Sequence, residues 1–515
     1  VPRSGAAKAA PRGAALAVAL ALTLVFGAPE ASAAPKRGLS AGARNDPPTT
    51  APDDGADERQ LPPEVRAALQ RAGVPAEALG AVVLDAQTGR RVLQLQGGKA
   101  MNPASLMKLL TTTAALDRLG PAWSWATPVW LAGPVTGGVL EGNLHIRGTG
   151  DARLVQERLW LLLRRVQQLG VREIRGDIVL DQGAFAVPES NPGEFDGEPL
   201  RPYNVRPAAL LINYRSSIYG FVPDAAAGVA RVLSEPPMAG VQVDRSVPLA
   251  TTGPCGDWRA ALKASFEPGR TRFGGAYPLA CGELIWPVAD PDPQSYDARV
   301  LAGLWREMGG VLTGSVREGA SPAGVAPTFE YRSPPLIETV REINKFSNNV
   351  MAQQLFLTLA LQAAPERPAT PEAARELLRR WLAARLAGDA GSEGLGEVVV
   401  DNGSGLSREN RISAGTLARV LMAAWSSPVM SELMSSLPIS GIDGTLMRRG
   451  GRASAGRAHL KTGTLRDVTG VAGYVLSPNG RRYVLVAIVN HPQAPAARPA
   501  LDALVAWTLR DAPWR

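Results

Sequence analysis

Apolar and polar positions divide the chain into three stretches of different texture. In the first, residues 63–72 have helical spacing, and residues 81–85 and 91–95 are β-like runs joined through Thr88-Gly89, which predicts a hairpin. Asn102-Pro103 in front and Gly120 behind bracket a helix predicted over 105–119. From Trp123 to about Gly319 short β-like runs, such as 138–146, alternate with Gly/Pro turns, and one clear helix, 154–169, interrupts them. Helical spacing returns over 335–363 and 371–387. Residues 468–476 and 481–490 then flank Pro478-Asn479-Gly480, a second hairpin signal, and an amphipathic helix is predicted over 498–510. The two ends of the chain therefore predict one α/β domain with an antiparallel sheet flanked by helices, interrupted by a large β-rich insertion.

The extreme N-terminus follows another rule. Arg3, Lys8 and Arg12 precede an apolar run over 14–26, and Ala31-Ser32-Ala33 fits a signal-peptidase site. This predicts a signal peptide over 1–33, cleaved near Ala33, and a protein exported to the periplasm with at most peripheral membrane contact. Residues 34–60, rich in Ala, Pro, Gly, Asp and Thr, read as a disordered linker.

Composition narrows the picture further. A chain of 515 residues that is 45% hydrophobic predicts two to three domains. The net charge of +8 is spread along the chain without an aromatic-interleaved basic stripe, which argues against nucleic acid as a partner. The two cysteines, Cys255 and Cys281, lie 26 residues apart. In an exported protein a disulfide between them would close a loop worth roughly 3 kcal/mol. The alternative is two free buried thiols. No metal or organic cofactor is expected.

Among short motifs, G-x-S-x-G, the phosphate-binding loop and H-E-x-x-H are all missing, and only His145, His459 and His491 are present. Three other motifs carry the chemistry. Ser105-Leu106-Met107-Lys108 is S-x-x-K at a predicted helix start, where positions i and i+3 share a face and an amine can reach a hydroxyl. Ser347-Asn348-Asn349 is S-x-N, a hydroxyl and an amide placed in or beside a helix. Lys461-Thr462-Gly463, with Thr464 next, is K-T-G on a strand, a cation and hydroxyls suited to a carboxylate, with a glycine that lets a peptide backbone approach. Each alone is weak; S-x-x-K by itself reads more readily as a capping serine with a solvated lysine. Together, in this order, they mark penicillin-binding proteins and serine β-lactamases.

Longer stretches sharpen the likeness. Asn344-Lys345-Phe346-Ser347-Asn348-Asn349, Asp401-Asn402-Gly403-Ser404-Gly405-Leu406-Ser407-Arg408, Gly441-Ile442-Asp443-Gly444-Thr445-Leu446 and Val471-Ala472-Gly473-Tyr474 make the chain from about Leu61 onward resemble the D-alanyl-D-alanine carboxypeptidase/endopeptidase family, the low-molecular-mass class C penicillin-binding proteins. The resemblance implies a catalytic domain over 61–122 plus 330–515, an inserted domain over 123–187 plus 288–329 and another over 188–287. It implies peptidoglycan peptides as substrates, β-lactams as acylating inhibitors, and catalytic roles for Ser105, Lys108, Ser347, Asn349 and Lys461. Thr462, Gly463 and Thr464 would meet the substrate, and the backbone N–H groups of Ser105 and Thr464 would form the oxyanion hole. Where the family has a Gly-Asp-Pro stretch this chain has Gly150-Asp151-Ala152; Asp151 is either a binder of a substrate amine or a turn cap. A serine β-lactamase, a non-catalytic wall-binding protein and a broad esterase remain the alternative readings.

Overall fold

The computed structural model describes residues 61–387, 397–449 and 454–511. The signal peptide and linker expected over 1–60 lie outside the described residues. Among the described residues no helix is long and apolar enough to cross a membrane.

The two ends of the chain build one five-stranded antiparallel sheet. Its spatial order is Arg91–Leu95, Leu79–Asp85, Arg482–Asn490, Val468–Leu476 and Ala458–Leu465. Successive strand residues point to opposite faces, and here both faces are apolar. Val82, Tyr474, Val484, Val486 and Ile488 face one side, where Met107–Leu119, Asn349–Ala363, Pro371–Leu386 and Ala414–Trp425 pack. Val83, Val471, Leu485 and Val489 face the other, covered by Pro63–Arg71 and Arg498–Leu509. A helix–sheet–helix sandwich results, as predicted. Ala458–Leu465, which carries K-T-G, is an edge strand of this sheet.

The insertion has apolar clusters of its own. One is formed by Val129, Leu144, Ile146, Ile178 and Leu180 from strands, together with Leu159, Leu163, Val300 and Leu304 from helices Gln156–Gln168 and Pro293–Glu307. Another is aromatic, built from Tyr219, Phe221, Phe273 and Tyr277. Leu210 and Ile212 belong to the first cluster, so the packing crosses the boundary drawn between 187 and 188. Cys255 and Cys281 are disulfide-bonded, with Cα atoms 4.7 Å apart.

Two expectations need correction. The 123–319 stretch holds a second long helix, Pro293–Glu307, besides the one predicted. Its signals are ordinary: Asp292 caps the Ser295 N–H, Pro293 opens the first turn, and Tyr296, Val300, Leu301, Leu304 and Trp305 repeat at helical spacing on the buried side. The helix predicted over 335–363 is two helices, Leu336–Phe346 and Asn349–Ala363. Ser347 takes a left-handed conformation (φ 59°) and Asn348 restarts the chain as an N-cap, its Oδ1 accepting the Met351 N–H at 3.0 Å. A left-handed serine costs about 1–2 kcal/mol, so the break marks a place where tertiary contacts override helical propensity.

Candidate active site

The S-x-x-K motif begins in a tight turn that other parts of the chain hold. Asn102 accepts the Ala104 N–H through Oδ1 at 2.9 Å and donates from Nδ2 to the Ser407 carbonyl at 2.9 Å. Ala104 is left-handed (φ 47°), after which residues 104–106 form a 3₁₀ turn that runs into helix Met107–Leu119. Gly405 closes on this turn: with φ 83°, a Cβ there would stand 1.9 Å from the Ala104 carbonyl oxygen. The helix then carries Lys108 inward, where it is fully buried.

Lys108 Nζ has three neighbours: Ser105 Oγ at 3.0 Å, Asn349 Oδ1 at 2.6 Å and the Ser404 carbonyl at 2.5 Å. Asn349 Oδ1 and the carbonyl can only accept, so they take two N–H bonds of the amine. The third direction faces Ser105, whose hydroxyl can donate to a neutral nitrogen. Neutrality is favoured, because burial and then the nearby charge of Lys461 push the Lys108 pKa well below the ordinary lysine value.

Lys461 is equally buried, and burial pushes its pKa down to about 7. It donates to Ser347 Oγ at 2.9 Å and to the Thr462 carbonyl at 2.8 Å. The left-handed turn at Ser347 aims that hydroxyl at Lys461 while Asn349, two residues later, reaches Lys108. Residues of the three motifs therefore meet in space: Lys108 reaches Asn349, 241 residues away, and Lys461 reaches Ser347, 114 residues away.

Ser105, Ser347, Asn349 and Thr464 line a cleft of about 1700 Å³. Its far wall comes from the insertion and includes Trp160, Tyr203 and Tyr214. Tyr214 is delivered by three consecutive left-handed residues, Asn213, Tyr214 and Arg215. This turn is held by a buried ion pair of Arg215 with Asp297 at 2.6 Å and by Asn213 Oδ1, which accepts the Gln156 N–H at 3.1 Å. None of the three histidines lines the cleft.

Gly463 has a contact the sequence did not suggest, and Asp151 takes the turn-capping alternative of its two readings. Gly463 is needed for a close approach within the protein: a Cβ there would lie 2.7 Å from the Pro103 carbonyl and 3.2 Å from Leu106. The strand thus seats directly on the Ser105 turn. Asp151 is buried and is not among the residues lining the cleft. Its Oδ1 accepts the Arg153 N–H at 2.8 Å, a turn-capping contact, while Oδ2 is buried without a partner. Burial raises its pKa to about 6.

Other residues of the site had no role assigned from sequence. Ser404 and Gly405 fall in a stretch read as family-like, and so do Asp443 and Thr445, but their contacts depend on the fold. Tyr214 and Asn490 carried no sequence signal.

Comparison with known proteins gives a family and a related fold. Residues 62–510 match the model of the D-Ala-D-Ala carboxypeptidase 3 (S13) family. The chain is 25% identical over 421 residues to D-alanyl-D-alanine carboxypeptidase DacB of Haemophilus influenzae, covering 80% of this chain and 85% of that protein. It is 26% identical over 489 residues to a D-alanyl-D-alanine carboxypeptidase of Actinomadura sp. (strain R39), covering 90% and 87%. In fold it is similar to the crystal structure of penicillin binding protein 4 (dacB) from Haemophilus influenzae, with a TM-score of 0.69 at 23% identity, covering 86% of this chain and 99% of that one.

Proposed function

Because the chain belongs to the D-Ala-D-Ala carboxypeptidase 3 (S13) family, we propose that it is a serine-type D-Ala-D-Ala carboxypeptidase that cleaves peptidoglycan stem peptides through an acyl-enzyme on Ser105. Opening of D-alanyl crosslinks, a DD-endopeptidase activity, is a second use of the same chemistry. The observation that carries this reading is the 3.0 Å contact between Lys108 Nζ and Ser105 Oγ, with the other two neighbours of the amine both acceptors.

Neutral Lys108 takes the Ser105 proton as Oγ bonds to the carbonyl carbon of the penultimate D-alanine. The carbonyl electron pair moves to oxygen, and by family resemblance the backbone N–H groups of Ser105 and Thr464 stabilise that oxyanion. Each such donor is worth roughly 3–4 kcal/mol. Collapse breaks the C–N bond, and the leaving amine receives a proton by way of Ser347 and Lys461. Asn349 keeps Lys108 in place. Lys461, Thr462 and Thr464 hold the substrate carboxylate. Water then attacks the ester, leaving its hydroxyl on the acyl carbon and returning a proton to Ser105.

A β-lactam acylates Ser105 by the same attack, and its tethered leaving nitrogen makes release slow. A solved structure of Haemophilus influenzae penicillin binding protein 4 in complex with a β-lactam supports this part of the reading. Stem peptides lie outside the cytoplasmic membrane, in keeping with the export signal read over 1–33.

Labelled penicillin tests the proposal: wild-type protein binds it covalently and Ser105→Ala does not, whereas equal labelling of the two refutes it. Mass spectrometry of uncrosslinked and crosslinked wall peptides after incubation separates terminal alanine loss from crosslink opening. Rapid turnover of penicillin would mark a β-lactamase instead.

A further inference from the structure

Beside the K-T-G strand lies a turn that touches Thr462 of that motif and the helix end just before S-x-N. Asp443 Oδ2 accepts from Lys345 Nζ at 2.6 Å, and its Oδ1 accepts the Ile439 N–H at 2.7 Å. Lys345 is 2% exposed and sits two residues before Ser347. Gly444 is left-handed (φ 56°), and a Cβ there would stand 2.5 Å from the Lys345 carbonyl oxygen. Thr445 Oγ1 is then 2.8 Å from Thr462 Oγ1. Since Lys461 bonds Ser347 at 2.9 Å, the contacts close into a ring that runs from Lys345 through Ser347, Lys461, Thr462 and Thr445 back to Asp443.

We propose that Asp443-Gly444-Thr445 is a positioning turn for the carboxylate subsite, with Thr445 the residue that aims the Thr462 hydroxyl at the substrate. The proposal rests on the reading of Thr462 given above. A hydroxyl has one proton to give, and a carboxylate can only accept. If Thr462 donates to Thr445, it has nothing for the substrate. If Thr445 donates to Thr462, the Thr462 proton is left for the carboxylate. A Thr445 hydroxyl that donates to Thr462 fixes the Thr462 oxygen 2.8 Å away and turns its proton toward the carboxylate, whereas without it Thr462 keeps its proton but loses that orientation. Thr462 and Thr464 are two apart on one strand and share a face, and Thr464 lines the cleft. Asp443 and Gly444 anchor the turn to the helix end that precedes Ser347, so carboxylate recognition and the Ser347–Lys461 contact depend on one rigid piece. Thr445 is a positioning residue: it acts on the substrate through Thr462.

The test is steady-state hydrolysis of an N-acylated peptide ending in Lys-D-Ala-D-Ala by wild-type protein, Thr445→Val and Thr445→Ser. Valine keeps the shape and removes the hydroxyl; serine restores it. We expect Thr445→Val to raise KM about tenfold with kcat within about twofold, because a bond made equally in ground and transition states is lost, and Thr445→Ser to recover the wild-type KM. Thr445→Ala compared with Thr445→Ser supplies the same contrast if the valine protein is unstable. A fall in kcat at unchanged KM, no change at all, or a serine variant as impaired as the valine one overturns the inference. A wild-type protein that is inert towards the peptide and towards penicillin overturns the Ser105 reading, and this inference with it; active wild type with no KM effect removes the positioning role alone.

Discussion

Asn102 and Asn490, 388 residues apart, bond each other twice: the Asn102 N–H donates to Asn490 Oδ1 at 2.7 Å, and Asn490 Nδ2 donates to the Asn102 carbonyl at 2.9 Å. Asn490 ends a central strand of the sheet, and Asn102 opens the turn that presents Ser105. The pair therefore ties the turn of the candidate nucleophile to the central strand of the sheet. Asn490→Ala removes both bonds and should destabilise the protein by about 2 kcal/mol. It should also slow penicillin acylation, because the Ser105 turn loses its anchor. Denaturant unfolding and the acylation rate constant check the two effects, and an unchanged acylation rate would show that the turn holds itself.

The buried lysines predict a pH profile. Lys108 must be neutral to take the Ser105 proton, so acylation falls as pH drops through its pKa. Burial and the charge of Lys461 hold that pKa well below the ordinary lysine range. A rate that begins to climb only in the ordinary lysine range, above about pH 9, would contradict the assignment. Lys108→Arg keeps a proton at all accessible pH values and should lower the rate roughly 10²–10⁴-fold.

Asp151 predicts a stability effect of opposite sign to that of a salt-bridged carboxylate. Its folded pKa, about 6, lies above the ordinary 3.8. Between these values the folded state holds more protons than the unfolded one, so stability falls as pH rises through the window and the cost is complete above about pH 6. A shift of this size corresponds to about 3 kcal/mol. Asp151→Asn retains an acceptor for the Arg153 N–H and cannot ionise. Its unfolding free energy should vary less between pH 4 and pH 7 than that of wild type, and parallel curves would place the Asp151 titration elsewhere.

Gly405 offers a steric test. Alanine there meets both a positive φ and the Ala104 carbonyl. The Ser105 turn must move to admit it, so Gly405→Ala should lose most penicillin labelling and at least about 1 kcal/mol of stability. Labelling at the wild-type rate would show that the turn tolerates displacement.

Much of this was legible before folding because it is local. Apolar β-like runs mark the strands near 81–85, 91–95, 468–476 and 481–490, Pro478-Asn479-Gly480 marks the turn between the last two, and Ser105 and Lys108 share a helix face by spacing alone. The Pro293–Glu307 helix was equally legible from its cap and its apolar spacing, but its setting among short β-like runs hid it. The break at Ser347 was not legible, since 335–363 has continuous helical spacing and only the bond to Lys461 and the Asn348 cap repay a left-handed serine.

Short-range chemistry thus set which residues were available: a serine with a lysine one turn away, a second serine with an asparagine, and a lysine on a strand. Long-range folding set what they became. Lys108 is a buried amine with a lowered pKa rather than a solvated ammonium because the surrounding elements exclude water and bring Lys461 near, while Asn349 and Ser404 receive its N–H groups. Gly463 faces Pro103, and Asp151 faces its own turn, because positions that spacing leaves free are settled by which surfaces meet when distant elements pack. A pKa, a close approach and a cleft are properties of neighbours in space, and for this chain those neighbours lie hundreds of residues apart.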